Sequence, residues 1–301
     1  MRRRVVETST GTSIISLPHD WIKNNEINKG DELEIENHDN NLIIKSNKIT
    51  PLEAEIDLTD LDWNLIWRYL ISLYRKGVDK VVVNNCNLEK RKIIQRFIHA
   101  LNGWAITKHE EDKIIIKDLA PVENSKIDDI LKKIITLLTD MANNTLEAIQ
   151  SSEMIVLKNM PQTDYSVNKF TNLCLRVLNK QGYISYKKTS SMYKIISVLE
   201  EIGDEYRKLS MICMKHNIKI NKNTLEVFKK VNNLLELYRD IFYSFDKHKI
   251  KKFYDSSNLI TNNLKNKFKN KTMQEIIVLS SLDSILHLTK SLAEETLQIN
   301  L

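Results

Sequence analysis

From Pro121 to its end the chain carries apolar side chains at three- and four-residue spacing, and only Pro161 and Gly182 interrupt the pattern. Ile127, Ile130, Leu131, Ile134, Leu138, Met141 and Leu146 trace one stripe, and Phe170, Leu173, Cys174 and Val177 trace another. This spacing gathers the apolar side chains on one face of a helix. Such faces are buried only against one another, so an antiparallel bundle is expected. Later helices are predicted over residues 190–215, 224–245, 248–269 and 272–299. Six helices in two groups of three, 122–217 and 218–301, is the simplest arrangement.

The first part of the chain has a different grammar. Residues 3–8 and 13–17 read as strands around the turn Ser9-Thr10-Gly11-Thr12, and residues 32–36 and 42–45 flank His38-Asp39-Asn40-Asn41. Between the two hairpins, Pro18 opens a single apolar turn with Trp21 and Ile22, and Lys29-Gly30-Asp31 closes it. A segment of ~50 residues with about a dozen apolar side chains rarely sustains its own core. Residues 1–50 are therefore expected to bury themselves against a second copy or against their neighbours, with a homodimer the natural solution. Residues 51–121 read as a small α/β layer: a strand at 54–58, a helix at 60–75, the run Val81-Val82-Val83, a helix at 88–101 stopped by Gly103, and strands at 104–108 and 114–117. The fold class is thus multidomain, with β-hairpins and an α/β segment followed by an all-α region.

The net charge is +6, unevenly spread. Residues 1–50 hold 7 basic against 8 acidic side chains, 51–126 hold 12 against 12, and the rest of the chain carries the basic excess. Lys247, Lys249, Lys251 and Lys252 cluster there, as do Lys265, Lys267, Lys269 and Lys271. Each group reads either as a surface for an anionic partner or as a solvated helix face. Cys86, Cys174 and Cys213 are odd in number and set among apolar residues, which argues against a disulfide frame or a metal knuckle. No apolar run approaches the ~18 residues of a membrane span, and no apolar stretch follows Arg2, Arg3 and Arg4, so a cytoplasmic location is expected. Walker, Rossmann, GxSxG and HExxH patterns are absent, and the chain is read as a non-enzyme.

One motif stands out. Aligning the third helix with the sixth places Leu199, Glu200, Ile202, Asp204 and Leu209 on Leu282, Asp283, Ile285, His287 and Leu292. Side chains four apart share one helix face, so Glu200 with Asp204, and Asp283 with His287, can each offer two ligands to one cation. Like charges at that spacing repel by a few tenths of a kcal/mol, and Gly203 between them costs about 1 kcal/mol relative to Ala. A cation, a closely packed helix, or a plain solvated flank each accounts for part of this.

Leu199-Glu200-Glu201-Ile202-Gly203-Asp204 resembles the LERIGD signature of the PhoU family of phosphate-signalling regulators, which are built of two repeated three-helix bundles with E(D)xxxD motifs. The stretch Asp164 to Phe170 resembles that family's second helix, with Asp164 on a carboxylate position and Asn168 replacing the next one. Glu201, Leu286 and His287 depart from the pattern. The resemblance implies a divalent or ferric ion (zinc, iron, magnesium or manganese) at Glu200, Asp204 and Asp164, and a second site at Asp283 and His287 whose Asp/His pair suits zinc or iron.

Separately, Thr10 to Trp21 and Lys29-Gly30-Asp31-Glu32-Leu33 resemble the AbrB/SpoVT swapped-hairpin family: a glycine turn, a strand ending in Leu-Pro, a short helix, and Lys-Gly-Asp before the next hairpin. The combination resembles the archaeal PhoU-type regulators. It implies DNA binding by a dimer, with Arg2, Arg3 and Arg4 at the first strand and Lys23 and Lys29 adding phosphate contacts. It further implies control of phosphate uptake, with promoter DNA and a phosphate-transporter ATPase subunit or phosphate-signalling protein as partners. The near-neutral hairpin segment leaves open a second reading, in which it only dimerises and the protein acts through protein contacts.

Overall fold

The computed structural model describes residues 1–38, 40–46, 51–120, 126–267 and 271–301. Asp39, the boundary at residue 50, Pro121 and Lys269 lie outside them. The chain divides into two compact units, Met1–Glu53 and Ala54–Leu301.

The first unit contains β1 (Val6–Glu7), β2 (Ser13–Ile14), α1 (His19–Asn24), β3 (Leu33–His38) and β4 (Asn41–Ser46). β1 and β2 pair antiparallel with Val6 opposite Ile14, while β3 and β4 form a separate hairpin with Ile35 opposite Ile44. The first pair is shorter than the sequence predicts. On the turn side the Thr8 N–H still donates to the Thr12 carbonyl at 2.9 Å, but among the described residues no strand pairs with residues 3–5 or 15–17. None of the unit's described side chains is buried. Val5, Val6, Ile35 and Leu42 are each more than half exposed.

A four-stranded sheet begins at the boundary, with all but Glu53 in the second unit. β5 (Glu53–Asp57), α2 (Trp63–Lys76), β6 (Lys80–Asn84), α3 (Leu88–Ile98), β7 (Trp104–His109) and β8 (Lys113–Asp118) follow in order, and the strands lie in the order β5-β6-β8-β7. Ile56, Val81, Val83, Ile114 and Ile116 meet Ile66, Leu70, Tyr74 and Ile94 in its core. Asp62 caps α2 by accepting from the Leu65 N–H, and Asn87 does the same for α3. Gly77 ends α2 with φ +93, and a Cβ there would stand 2.4 Å from the Lys180 side chain of the following bundle. The helix expected to run to Leu101 stops at Ile98, because Ala100 and Leu101 turn back on the carbonyls of Phe97 and Ile98.

Six long helices follow: α4 (Ile127–Ser151), α5 (Met160–Gln181), α6 (Thr189–His216), α7 (Lys222–Tyr243), α8 (Lys247–Lys267) and α9 (Met273–Asn300). α4, α5 and α6 pack mutually, α7, α8 and α9 do likewise, and the two groups meet chiefly along α6 and α9. One continuous apolar core runs through both groups. Buried polar bonds tie them: Tyr206 donates to Asn232 at 2.9 Å, and Asn232 donates to the Ala142 carbonyl at 2.8 Å. The α/β layer is not set apart from this bundle. α2 lies directly on α5, within one compact unit.

α9 is long and apolar enough to cross a membrane, contrary to the expectation from run length. Its apolar residues Val278, Leu279, Leu282, Ile285 and Leu286 are fully buried in the core, and that burial accounts for the composition.

Candidate functional site

α5 turns Asp164, Asn168 and Asn172 toward one face at four-residue intervals, and α6 does the same with Glu200 and Asp204. Gly203 brings the two helices together. A Cβ on it would stand 3.2 Å from Leu138 Cδ2, 3.3 Å from Val167 Cγ1 and 3.5 Å from Asp164 Oδ1. The glycine that is costly by helix propensity is therefore the one that admits Asp164 beside the acidic motif.

Two guanidinium groups face these carboxylates. Arg75, in the last turn of α2, places Nη2 2.8 Å from both oxygens of Glu200 and Nε 2.7 Å from Asn172 Oδ1. Arg207 places Nε 2.9 Å from Asp164 and Nη2 3.0 Å from Asp204. Asp164 is 5% exposed. Its Oδ2 also accepts from Asn168 Nδ2 at 3.2 Å, while Asp164 Oδ1 and Asn168 Oδ1 are buried without a hydrogen-bond partner. Burial pushes the Asp164 carboxyl up to about 6, against the pull of Arg207. Burial raises Glu200 as well, opposed by Arg75.

Neither guanidinium was singled out in the sequence. Their sequence signal is weak: α2 carries Arg68 and Lys76 besides Arg75, and Arg207 stands beside Lys208 on a helix that already holds the acidic motif. A third, Arg176, is 3% exposed and joins α5 to the sheet layer: it donates to the Tyr74 carbonyl at 2.9 Å, to Asp118 at 2.7 Å and to Asp79 at 3.3 Å.

The second motif lies elsewhere on the bundle. Asp283 and His287 stand 3.8 Å apart, and both are substantially exposed. They share an open groove of about 460 Å³ between α6 and α9 with Glu201, Asp204, Glu205 and Lys208. The fold thus brings Asp204 to both places, whereas Glu200 and Asp164 face guanidinium groups. Among the described residues no group of three or more His, Cys, Asp or Glu side chains is arranged to hold a metal ion. In the first motif both oxygens of Glu200 and one oxygen each of Asp164 and Asp204 are directed at arginines, which leaves Asp164 Oδ1 as the buried donor without a partner.

The basic candidates separate similarly. Arg2, Arg3 and Arg4 precede β1 exposed, Lys23 lies exposed in the last turn of α1, and Lys29 is exposed beside Gly30. Lys247, Lys249, Lys251 and Lys252 do not form one patch, because each helical residue turns by about 100°. Lys249 donates to the Ser244 carbonyl at 3.2 Å, and Lys252 lines a groove of about 450 Å³ between α7 and α8 together with Glu236 and Asp240. Lys271, from the other cluster, pairs with Glu275 at 3.2 Å. Cys86, Cys174 and Cys213 are free and buried, with burial raising the thiols of Cys174 and Cys213 to about 12.

The family described as "Antidote-toxin recognition MazE, bacterial antitoxin" matches residues 6–51. No curated protein and no solved structure matches the chain. The match falls on the hairpin unit and supports its reading as a swapped-hairpin domain of the MazE/AbrB kind, followed by a largely helical region.

Proposed function

We propose that the protein is a dimeric DNA-binding regulator, whose hairpin unit is exchanged with a second copy and whose helical unit receives the signal or docks on a partner. The observation that carries this reading is the hairpin unit's lack of any buried side chain among its described residues, together with its family match. A second copy would cover Val6, Ile14, Ile35 and Leu42 and leave Arg2, Arg3 and Arg4 for phosphates. Control of phosphate uptake is the finer form of this reading, and it rests on the PhoU-like sequence motif alone.

Retention of a promoter fragment at low salt, lost as salt rises, is the expected outcome. Arg3→Ala with Arg4→Ala should weaken binding and lower the slope of log K against log salt by roughly 2, about 0.9 for each phosphate contact removed. Absence of retention even at low salt removes DNA binding. That outcome would favour the second reading, a regulator that dimerises through its hairpins and docks on a transporter ATPase subunit. The 7 basic against 8 acidic side chains of residues 1–50 weigh toward it. An antitoxin role, named in the family's description, predicts instead a toxin partner encoded beside the protein and recovered with it on purification.

A further inference from the structure

The cations facing the acidic motif come from the chain itself. Arg75 reaches Glu200 through both carboxylate oxygens, and Arg207 bridges Asp164 and Asp204. A guanidinium stays charged at every accessible pH and presents a planar fork of donors that matches a carboxylate. A divalent ion at Glu200 would need the lone pairs Arg75 already holds, and one at Asp164, where Oδ1 alone is left without a partner, would sit within a few ångströms of two fixed positive charges. The repulsion between Glu200 and Asp204, four apart on α6, is relieved by giving each carboxylate its own arginine.

Arg75 is also held from behind. Asn179 Nδ2 donates to its backbone carbonyl at 2.6 Å, and Asn172 accepts from its Nε, so α5 grips the residue at both ends. We infer that Arg75 and Arg207 are the resident cations of the motif, which makes Glu200, Asp204 and Asp164 a metal-free receptor for two guanidinium groups that fastens the last turn of α2 to α5 and α6. The motif then serves as a lock between the α/β layer and the bundle. This departs from the metal centre that the sequence resemblance implies, and it does not depend on DNA binding.

The test uses the full-length protein purified without chelator. Elemental analysis for zinc, iron, manganese and magnesium should find no stoichiometric ion. Calorimetric titration with Zn²⁺ and with Mn²⁺ should show no saturable binding at the motif, and EDTA should leave the melting temperature unchanged. Arg207→Ala frees two carboxylates from their counter-ion and should bind Mn²⁺ roughly tenfold more tightly than wild type, the ratio that about 1.4 kcal/mol of lost competition produces. Should that variant not fold, Arg75→Gln offers the same measurement at Glu200. A stoichiometric ion in the wild-type protein that disappears in Glu200→Ala or Asp164→Ala overturns the inference. So does Mn²⁺ binding in the arginine variants no tighter than in wild type.

Discussion

Asp164 has the most to say at the level of single residues. Its carboxyl titrates near 6 in the folded chain against 3.8 ordinarily, with burial the main cause. Between those values the folded chain holds a proton that the unfolded chain has released. The associated stability is therefore fully present below about pH 4 and is lost as pH rises through about 6; a shift of this size amounts to about 3 kcal/mol. Urea unfolding of Asp164→Asn should show a smaller decline from about pH 4.5 to 7 than wild type, and an identical decline would assign the effect to another group. Gly203 offers a second measurement. Ala there gains about 1 kcal/mol of helix propensity but meets Leu138 and Val167 at 3.2 and 3.3 Å, so the two effects offset. Gly203→Leu has no such balance, and thermal unfolding should register a loss of about 1–3 kcal/mol from overpacking. The sequence made Gly203 visible as an anomaly but could not say what approached it, because Leu138, Val167 and Asp164 arrive from α4 and α5.

At the level of elements, the seam between α2 and α5 is polar where the cores on either side are apolar. Arg176 is its centre, with the guanidinium 4.9 Å from the Tyr74 ring centroid and in ion-pair contact with Asp118, itself buried. Arg176→Ala leaves that carboxylate without its counter-ion, with only the Ala120 N–H at 3.3 Å, and should destabilise the chain by about 3–5 kcal/mol, read from denaturant midpoints at pH 7. Helix limits were largely legible: α6 and α9 run within a residue or two of where their apolar stripes begin and end. Thr272 and Glu275 form a capping box whose spelling is present in the sequence. The pairing of elements was less legible. Arg75 and Glu200 lie far apart in the chain, and nothing local in either helix announces the other. The lysines around residue 250 illustrate the converse, since neighbours in sequence became strangers once the helix turned them to different sides.

At the level of the whole molecule, the two units differ in self-sufficiency. The second keeps two buried cores of its own, whereas the first keeps none among its described residues. Val6→Asp combined with Ile14→Asp should therefore convert a dimer to a monomer in light scattering while leaving the helical circular dichroism of the bundle intact. A dimer that survives the double change would place the contact elsewhere. The hairpin organisation and the helical remainder were readable from turn residues and periodicity, but the short β1 and β2 were not, because how far a ladder runs depends on partners that no local residue names. If the hairpin unit gains its core only in the proposed dimer, its folding equilibrium is second order in protein. Each tenfold dilution takes about 1.4 kcal/mol from the associated form, while the bundle is indifferent to concentration. Copy number thus becomes an input: a cell sets how much of the N-terminal unit is assembled simply by how many chains it makes.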